Sequence, residues 1–258
     1  MLKDSVSSDL ARYYAVPVLA ILLALAILVT HGNKPMFLLI NGLGPYTGDS
    51  LWANWTLFGD GWVVLALLLP FVGRRPGLVW TAVLAAIIAG IAVPLFKNLF
   101  AMPRPPAVLA ADLIHIIGPA YKARSFPSGH ATTAFVFAGV LSLYFRSYWI
   151  MAASVMIASG VAISRMAVGV HWPLDVTTGA ALGWLCAVAG AYWATRWRWG
   201  ESFAGQRVIA ALLLLAALDL LFFYKAFSPL AALLPKGVAM VALIAGMPGL
   251  MRVWRGRA

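Results

Sequence analysis

The residues of this chain that could do chemistry fall into three short clusters, at Lys97–Pro105, Ser125–His130 and Ser164–Asp175. Their side chains suit the binding and attack of a phosphate group, because cations bind phosphate oxygens and imidazoles move protons or act as nucleophiles. The candidate site residues in these clusters are Lys97, Arg104, Ser128, Gly129, His130, Arg165, His171 and Asp175.

The spacing within the clusters indicates how each could act. Pro127-Ser128-Gly129 precedes an apolar helical run, and free N–H groups at a helix N-terminus bind anions. Asp175 follows His171 by four residues, so the two can lie on one helical face, with Pro173 in the first turn. A carboxylate there can hold one ring nitrogen and leave the other free to attack. The pattern predicts phosphoryl transfer through a phosphohistidine, with positive charges holding the equatorial oxygens.

The composition places this chemistry in a membrane. Of the 258 residues, 63% are hydrophobic and only 10% are charged, whereas a soluble domain is about half apolar and about a quarter charged. This excludes a soluble globule and, more firmly, a disordered chain. The formal charge is +11. In a membrane protein we expect these cations to set the topology and to bind anions, and we expect no nucleic-acid partner. The single cysteine, Cys186, excludes an internal disulfide framework and a cysteine-rich metal site.

The hydropathy predicts an all-α polytopic membrane protein, because a helix needs ~20 mostly apolar residues to cross the bilayer. The eighth candidate span is the weakest, since Pro235 and Lys236 interrupt its start. The longest polar connections are about 32–51, 97–128 and 195–207. The eight spans are about 14–31, 52–72, 78–96, 129–146, 149–168, 174–194, 208–226 and 234–251.

Basic residues in short loops predict the orientation. With a cytoplasmic N-terminus, 11 of the 19 Lys and Arg residues lie inside, as the positive-inside rule favours. Counting spans then places all three clusters together on the outer face. The inside residues are Lys3, Arg12, Arg74, Arg75, Arg146, Arg196, Arg198, Arg207, Arg252, Arg255 and Arg257.

The spacing Lys-x6-Arg-Pro, Pro-Ser-Gly-His and Ser-Arg-x5-His-x3-Asp resembles the tripartite signature of the type-2 phosphatidic acid phosphatase (PAP2) superfamily. The resemblance covers residues 97–175 directly and a six-helix core at about 14–194 by layout. It implies a six-helix lipid phosphatase core at 1–200, and residues 201–258 are then expected to form a C-terminal helical hairpin extension.

The resemblance also implies roles for the site residues. His171 would be the nucleophile, oriented by Asp175, and His130 the general acid that protonates the leaving group. The family is metal-independent, and no clustered carboxylates for Mg²⁺ or Zn²⁺ are evident, so no cofactor is expected. The other two histidines, His31 and His115, are interpreted as structural. The residues implied to bind phosphate are Lys97, Arg104, Ser128, Gly129 and Arg165.

The leading hypothesis is a lipid phosphatase of the bacterial inner membrane whose site faces the periplasm. Its substrate would be undecaprenyl diphosphate, phosphatidylglycerophosphate, phosphatidic acid or the 1-phosphate of lipid A. A lipid phosphotransferase with the same phosphohistidine and a lipid acceptor is the alternative. A non-catalytic headgroup binder or transporter is disfavoured, because no inverted repeat is evident and the catalytic set is intact. The oligomeric state is left unassigned.

Several further residues allow either a functional or a structural interpretation, or only a structural one. Lys122 and Arg124 could contact the headgroup or remain solvated. Asp219 lies mid-span, where an ionisable group is costly; it is either functional or a polar contact between helices. Gly179-x3-Gly183 is typical of close helix packing.

Overall fold

A computed structural model describes the backbone of residues 2–256 and the side chains of residues 13–256. Within this range the chain forms eleven α-helices and no strand, as predicted for an all-α protein. The helices are α1 Leu2–Val29, α2 Asn33–Thr47, α3 Asp49–Trp55, α4 Gly61–Leu68, α5 Pro76–Phe100, α6 Pro105–Val108, α7 Gly129–Phe145, α8 Tyr148–Ala167, α9 Pro173–Arg196, α10 Phe203–Phe222 and α11 Leu233–Trp254.

The long helices make this an integral membrane protein. Among the described residues, five helices are long and apolar enough to cross a membrane, or up to seven segments if two bent helix pairs each count once. The apolar helix α7 has 17 residues and falls just short of that length. Each of the eight predicted spans corresponds to a helix or a bent pair. Of the residues behind the predicted orientation, the side chains of Lys3 and Arg12 and all of Arg257 lie outside the described residues.

Two predictions about the connections are wrong. Residues 32–51 were expected to form a polar connection, but most of them form α2, which bends by 108° from α1. Buried Asn41 ties α2 to the end of α8 by donating from Nδ2 to the carbonyl of Ala167 at 3.0 Å. The eighth span is not interrupted, because α11 begins at Leu233 and keeps Pro235 in its first turn, where proline costs no helical hydrogen bond.

The second span is broken in its middle, at Gly59 and Asp60. Asp60 caps α4 by accepting from the backbone N–H of Trp62 at 2.9 Å, and the two halves bend by 63°. A Cβ on Gly59 would lie 2.7 Å from the carbonyl oxygen of His130 and 2.6 Å from Val161. Glycine at this position therefore lets the break lie directly against the start of α7.

The helices α7 and α9 approach each other closely through small residues. A Cβ on Gly179 would lie 2.8 Å from the carbonyl oxygen of Ser128, and one on Gly183 would overlap the carbonyl oxygen of Thr132. This contact matches the packing interpretation of the Gly179-x3-Gly183 pattern. It holds the N-termini of the two helices side by side, which is where two of the three clusters lie.

The C-terminal helices pack against α4. α10 contacts α4, and α11 contacts both α4 and the turn at Leu69–Phe71. One hydrophobic cluster runs from Ala53 to Val253 and so joins the C-terminal helices to the preceding ones. The division at residue 200 stays a prediction.

We expect Gly183→Ala to lower the thermal stability of the detergent-solubilised protein. The new methyl group would overlap the Thr132 carbonyl, and overpacking typically costs about 1–3 kcal/mol. Gly90→Ala in α5 is the matched control, because a Cβ there meets nothing within 4 Å. Thermal unfolding of both variants checks this, and equal or higher stability of Gly183→Ala would contradict the close packing.

Candidate active site

The three sequence clusters meet at one face of the helix bundle, called here the site face. Arg104 Nη1 lies 3.3 Å from His171 Nε2, which joins the first cluster to the third. The backbone N–H of Ser128 donates to the carbonyl of Asp175 at 3.0 Å, which joins the second to the third. The structure therefore brings together residues that are up to 78 positions apart, from Lys97 to Asp175.

His171 and Asp175 form a buried pair at the start of α9. His171 Nδ1 lies 3.3 Å from Asp175 Oδ2. His171 lies at the mouth of the helix, directly before Trp172, the N-cap of α9, so the pair forms across the helix start and not along one helical face. The N-terminal turn, with Pro173 as its first residue, folds the carboxylate back over the imidazole.

The Asp175 carboxylate is held by two further donors. Its Oδ2 accepts from the backbone N–H of Trp172 at 2.8 Å and from the hydroxyl of Ser125. Both side chains of the His171–Asp175 pair are almost fully buried. Donation from Nδ1–H of His171 to this fixed carboxylate selects the tautomer whose Nε2 carries a lone pair.

The electrostatic environment keeps the His171 imidazole neutral. Burial first, and then the positive charges of Arg165, Arg104 and Lys97, hold the pKa of His171 well below its ordinary value. A neutral ring is the form that can attack an electrophile. The same cations that would bind a phosphate therefore also keep the adjacent imidazole unprotonated.

The segment at residues 121–124 positions the first cluster. Arg104 donates from Nε to the carbonyl of Ala123 at 2.9 Å, and Lys97 donates from Nζ to the carbonyl of Arg124 at 2.6 Å. The guanidinium of Arg104 also lies 5.3 Å from the centre of the Tyr121 ring. The side chains of Lys122 and Arg124 are exposed, and a contact with substrate stays a prediction for both.

Arg165 is the most buried of the three cations, with 6% of its surface exposed. Its Nη1 donates to Thr56 Oγ1 at 2.6 Å, while its Nε has no hydrogen-bond partner. The backbone carbonyl of Arg165 accepts from the N–H of His171 at 3.2 Å. Arg165 thus holds the backbone of His171, the candidate nucleophile, and its Nε–H remains without a hydrogen-bond acceptor.

Ser128 and Gly129 form the N-terminus of α7. Ser128 is the N-cap, and its hydroxyl accepts from the N–H of Ala131 at 3.4 Å. Ser128 is fully buried, so its contribution to anion binding would come from the backbone of this helix start. His130 follows in the first turn.

His130 lies between two cavities of different character. A cavity of about 270 Å³, called here the polar cavity, is lined by His130, Arg165, Asp60, Tyr224 and Lys225, together with Tyr121 and six apolar residues. An apolar cavity of about 290 Å³ reaches the same histidine from between α4, α5 and α7. A general acid at this position can face both a polar headgroup and an apolar lipid body.

Three residues that hold the site were not assigned by the sequence. Ser125 lies in the second sequence cluster but had no predicted role there. No motif in the sequence predicted a role in the site for Thr56 or Tyr121. Each contacts a candidate residue more than 15 positions away, so only the fold could reveal the pairs. Among the described side chains, no three of His, Cys, Asp and Glu form a group that could hold a metal ion.

Comparison with known proteins decides the family. The PAP2 superfamily model matches residues 78–199. An undecaprenyl-diphosphatase of Sulfolobus acidocaldarius is 34% identical over 58% of this chain and 73% of its own length. This chain belongs to the PAP2 superfamily.

Other PAP2 relatives agree in fold and in name. A lipid A 1-phosphatase of Porphyromonas gingivalis is 44% identical over 28% of this chain, which spans only 16% of that protein. The crystal structure of Aquifex aeolicus LpxE has a TM-score of 0.57 and 33% identity, over 62% of this chain and 94% of that one. The curated relatives that match carry phosphatase names, and the LpxE structure shares the helical architecture of this chain.

We expect Ser125→Ala to lower kcat for phosphatase turnover by about tenfold, the usual effect of losing a hydrogen bond to a charged group. Without this donor the Asp175 carboxylate holds His171 less firmly, whereas phosphate binding, and so KM, is little changed. Ser142→Ala is the matched control, since Ser142 is equally buried in α7 and bonds only within the helix and to α8. Equal effects of the two substitutions would assign Ser125 a merely structural role.

The pH profile of kcat/KM should have an acid limb below pH 6.5, because activity falls as the carboxylate–imidazole pair takes up protons and the pKa of His171 lies well below its ordinary value. Arg104→Gln removes a positive charge beside Nε2, so the pKa of His171 rises and the limb moves to higher pH. Arg75→Gln, at an exposed position on the opposite face, serves as the control. A limb that stays in place in Arg104→Gln would contradict this electrostatic coupling.

Proposed function

We propose that this protein is an integral-membrane lipid phosphatase that hydrolyses a phosphate or diphosphate ester through a phosphohistidine on His171. One observation carries the proposal: Nδ1 of this buried imidazole faces Asp175, while Nε2 faces Arg104 among the cations of the site. That arrangement leaves one nitrogen for attack and surrounds it with donors for phosphate oxygens.

The reaction divides into two steps with balanced bonds. In the first, His171 Nε2 attacks phosphorus, the bond from phosphorus to the ester oxygen breaks, and His130 gives its proton to that oxygen. The guanidinium of Arg104 turns from Nε2 to the phosphate oxygens, beside Lys97 and Arg165. In the second, His130 takes a proton from water, which attacks phosphorus, and inorganic phosphate leaves Nε2.

A lipid substrate suits the surroundings of His130. The apolar cavity between α4, α5 and α7 lies in the membrane-spanning part of the protein and ends at the imidazole proposed to protonate the leaving group. A lipid could keep its apolar body there while its headgroup reaches the cations. The matched relatives are named for undecaprenyl diphosphate and lipid A, and phosphatidylglycerophosphate and phosphatidic acid remain further candidates.

We place the site on the periplasmic side of a bacterial inner membrane. The ends of the helices opposite the site face carry exposed basic residues, including Arg74, Arg75 and Arg196. Of the cations on the site face, Lys97, Arg104 and Arg165 are engaged in the site. This asymmetry supports a cytoplasmic location for the opposite face under the positive-inside rule.

The test is phosphate release by purified protein in detergent with excess EDTA, with His171→Ala and His31→Ala run in parallel. The panel holds undecaprenyl diphosphate, phosphatidylglycerophosphate, phosphatidic acid and lipid A. We expect release from at least one lipid without an added acceptor. His171→Ala should be slower by at least about a thousandfold, as for loss of a nucleophile.

His31→Ala should retain full activity, because His31 lies exposed in the turn between α1 and α2. Full activity of His171→Ala would disprove the phosphohistidine. Release that requires an added acceptor lipid would instead identify a phosphotransferase.

A further inference from the structure

The connection between α10 and α11 forms part of the wall of the polar cavity beside His130. Tyr224, Lys225 and Phe227 from this connection line the cavity opposite Arg165. These residues lie outside the stretch that the family model matches, which ends at residue 199. The C-terminal helices therefore contribute to a cavity that the three sequence clusters do not complete by themselves.

The connection is docked firmly onto the site face. The Asn54 side chain donates from Nδ2 to the carbonyl of Leu230 at 3.1 Å. A Cβ on Gly118 would lie 2.5 Å from the Phe227 ring, so the loop that precedes the second cluster contacts the connection directly. This docking fixes where Tyr224 and Lys225 stand relative to the catalytic residues.

Tyr224 is oriented by Asp60. Its hydroxyl donates to Asp60 Oδ2 at 3.0 Å, while Oδ1 of the same carboxylate accepts from the N–H of Trp62 at the start of α4. Burial first, and then the negative charge of Asp60, raise the pKa of Tyr224, so the phenol stays protonated and keeps donating. The free lone pairs of the phenol oxygen are thus available to accept a hydrogen bond.

The cavity combines acceptors with donors. The Tyr224 oxygen and the Asp60 carboxylate are acceptors, whereas the guanidinium of Arg165 and the ammonium of Lys225 are donors. A hydroxyl group both donates and accepts, so this mixture suits several hydroxyls. A second phosphate is the competing ligand, because Arg165 and Lys225 outnumber Asp60 in the lining, and the experiment below separates the two.

The size of the cavity admits the same class of ligand. Its volume of about 270 Å³ equals that of about nine liquid water molecules. A cavity of this volume has room for a sugar or a polyol, and its polar groups, not its size, distinguish it from the apolar cavity of about 290 Å³. The apolar cavity on the other side of His130 is available for the lipid chain.

We propose that Tyr224, positioned by Asp60, and Lys225 bind a hydroxyl-bearing group that links the scissile phosphate to the lipid, so that the enzyme prefers a glycosyl or polyol phosphate lipid. This specificity rests on the proposed phosphatase function. The C-terminal helices then act as a specificity element for the leaving group of the same reaction.

The test compares N-lauroyl-glucosamine 1-phosphate with lauryl phosphate, which has a chain of the same length but lacks the sugar and its amide link. Farnesyl diphosphate supplies a second phosphate without hydroxyls. We measure kcat/KM for phosphate release by the full-length wild type, Tyr224→Phe and Lys225→Met. The matched controls are Tyr46→Phe and Lys236→Met, both at exposed positions away from the cavity.

We expect the wild type to prefer the sugar phosphate, and each cavity variant to lose about three- to tenfold in kcat/KM for it, the range for one hydrogen bond. The rate on lauryl phosphate should stay within about twofold, since that substrate leaves the polar cavity to water. Lys225→Met removes an exposed side chain, so it tests the proposal even where Tyr224→Phe folds poorly.

Each contrary result has one meaning. Equal wild-type rates on the two lauryl substrates, or equal losses on both in the variants, would overturn the sugar pocket. A preference for farnesyl diphosphate that only Lys225→Met removes would also overturn it and assign the cavity to a second phosphate. No phosphate release from any substrate would refute the proposed function itself, which is a separate outcome.

Discussion

Three positive charges gathered beside one buried imidazole are the constraint on which the rest of the site depends. Lys97, Arg104 and Arg165 repel one another, and Asp175 is the carboxyl group that lies beside the imidazole among them. Backbone carbonyl oxygens and the hydroxyl of Thr56 hold the cations in place by hydrogen bonds. Dipoles of this kind orient a cation without neutralising it, so the site retains the net positive charge that a phosphate dianion requires.

The same charges explain how a histidine can serve as a nucleophile. An imidazole beside a carboxylate would ordinarily become easier to protonate, but burial and the neighbouring cations outweigh this effect at His171. Three donors converge on Oδ2 of Asp175 and fix the carboxylate that selects the tautomer. The pair thus combines a neutral ring with a defined free nitrogen, which is the state that attack on phosphorus needs.

Close backbone contacts make this arrangement possible. The segments that carry the second and third clusters can join, through the Ser128 N–H and the Asp175 carbonyl, only because Gly179 and Gly183 let α7 and α9 approach. Gly59 plays the same part for the broken span, whose second half presents Asp60 to the polar cavity. The C-terminal helices then pack on α4 and bring Tyr224 to that carboxylate.

The sequence by itself determined the elements that local rules govern. Long apolar runs require helices in a bilayer, because unpaired backbone groups cannot be left there. Counting those runs, together with the spacing of Lys97, Arg104, His130 and His171, predicted one shared face. The local sequence was less reliable in two places. The polar residues of α2 did not prevent helix formation, and neither did Pro235 and Lys236 at the start of α11.

Only the tertiary structure decided which distant groups support these residues. Ser125 reaches Asp175 across 50 positions and Thr56 reaches Arg165 across 109, and no periodicity encodes such pairs. The partnership of Asp60 with Tyr224 spans 164 positions and depends on how the last helices pack. Hydropathy fixes where a helix forms, but packing between helices fixes which polar side chains meet, because that choice depends on the shape of every helix between them.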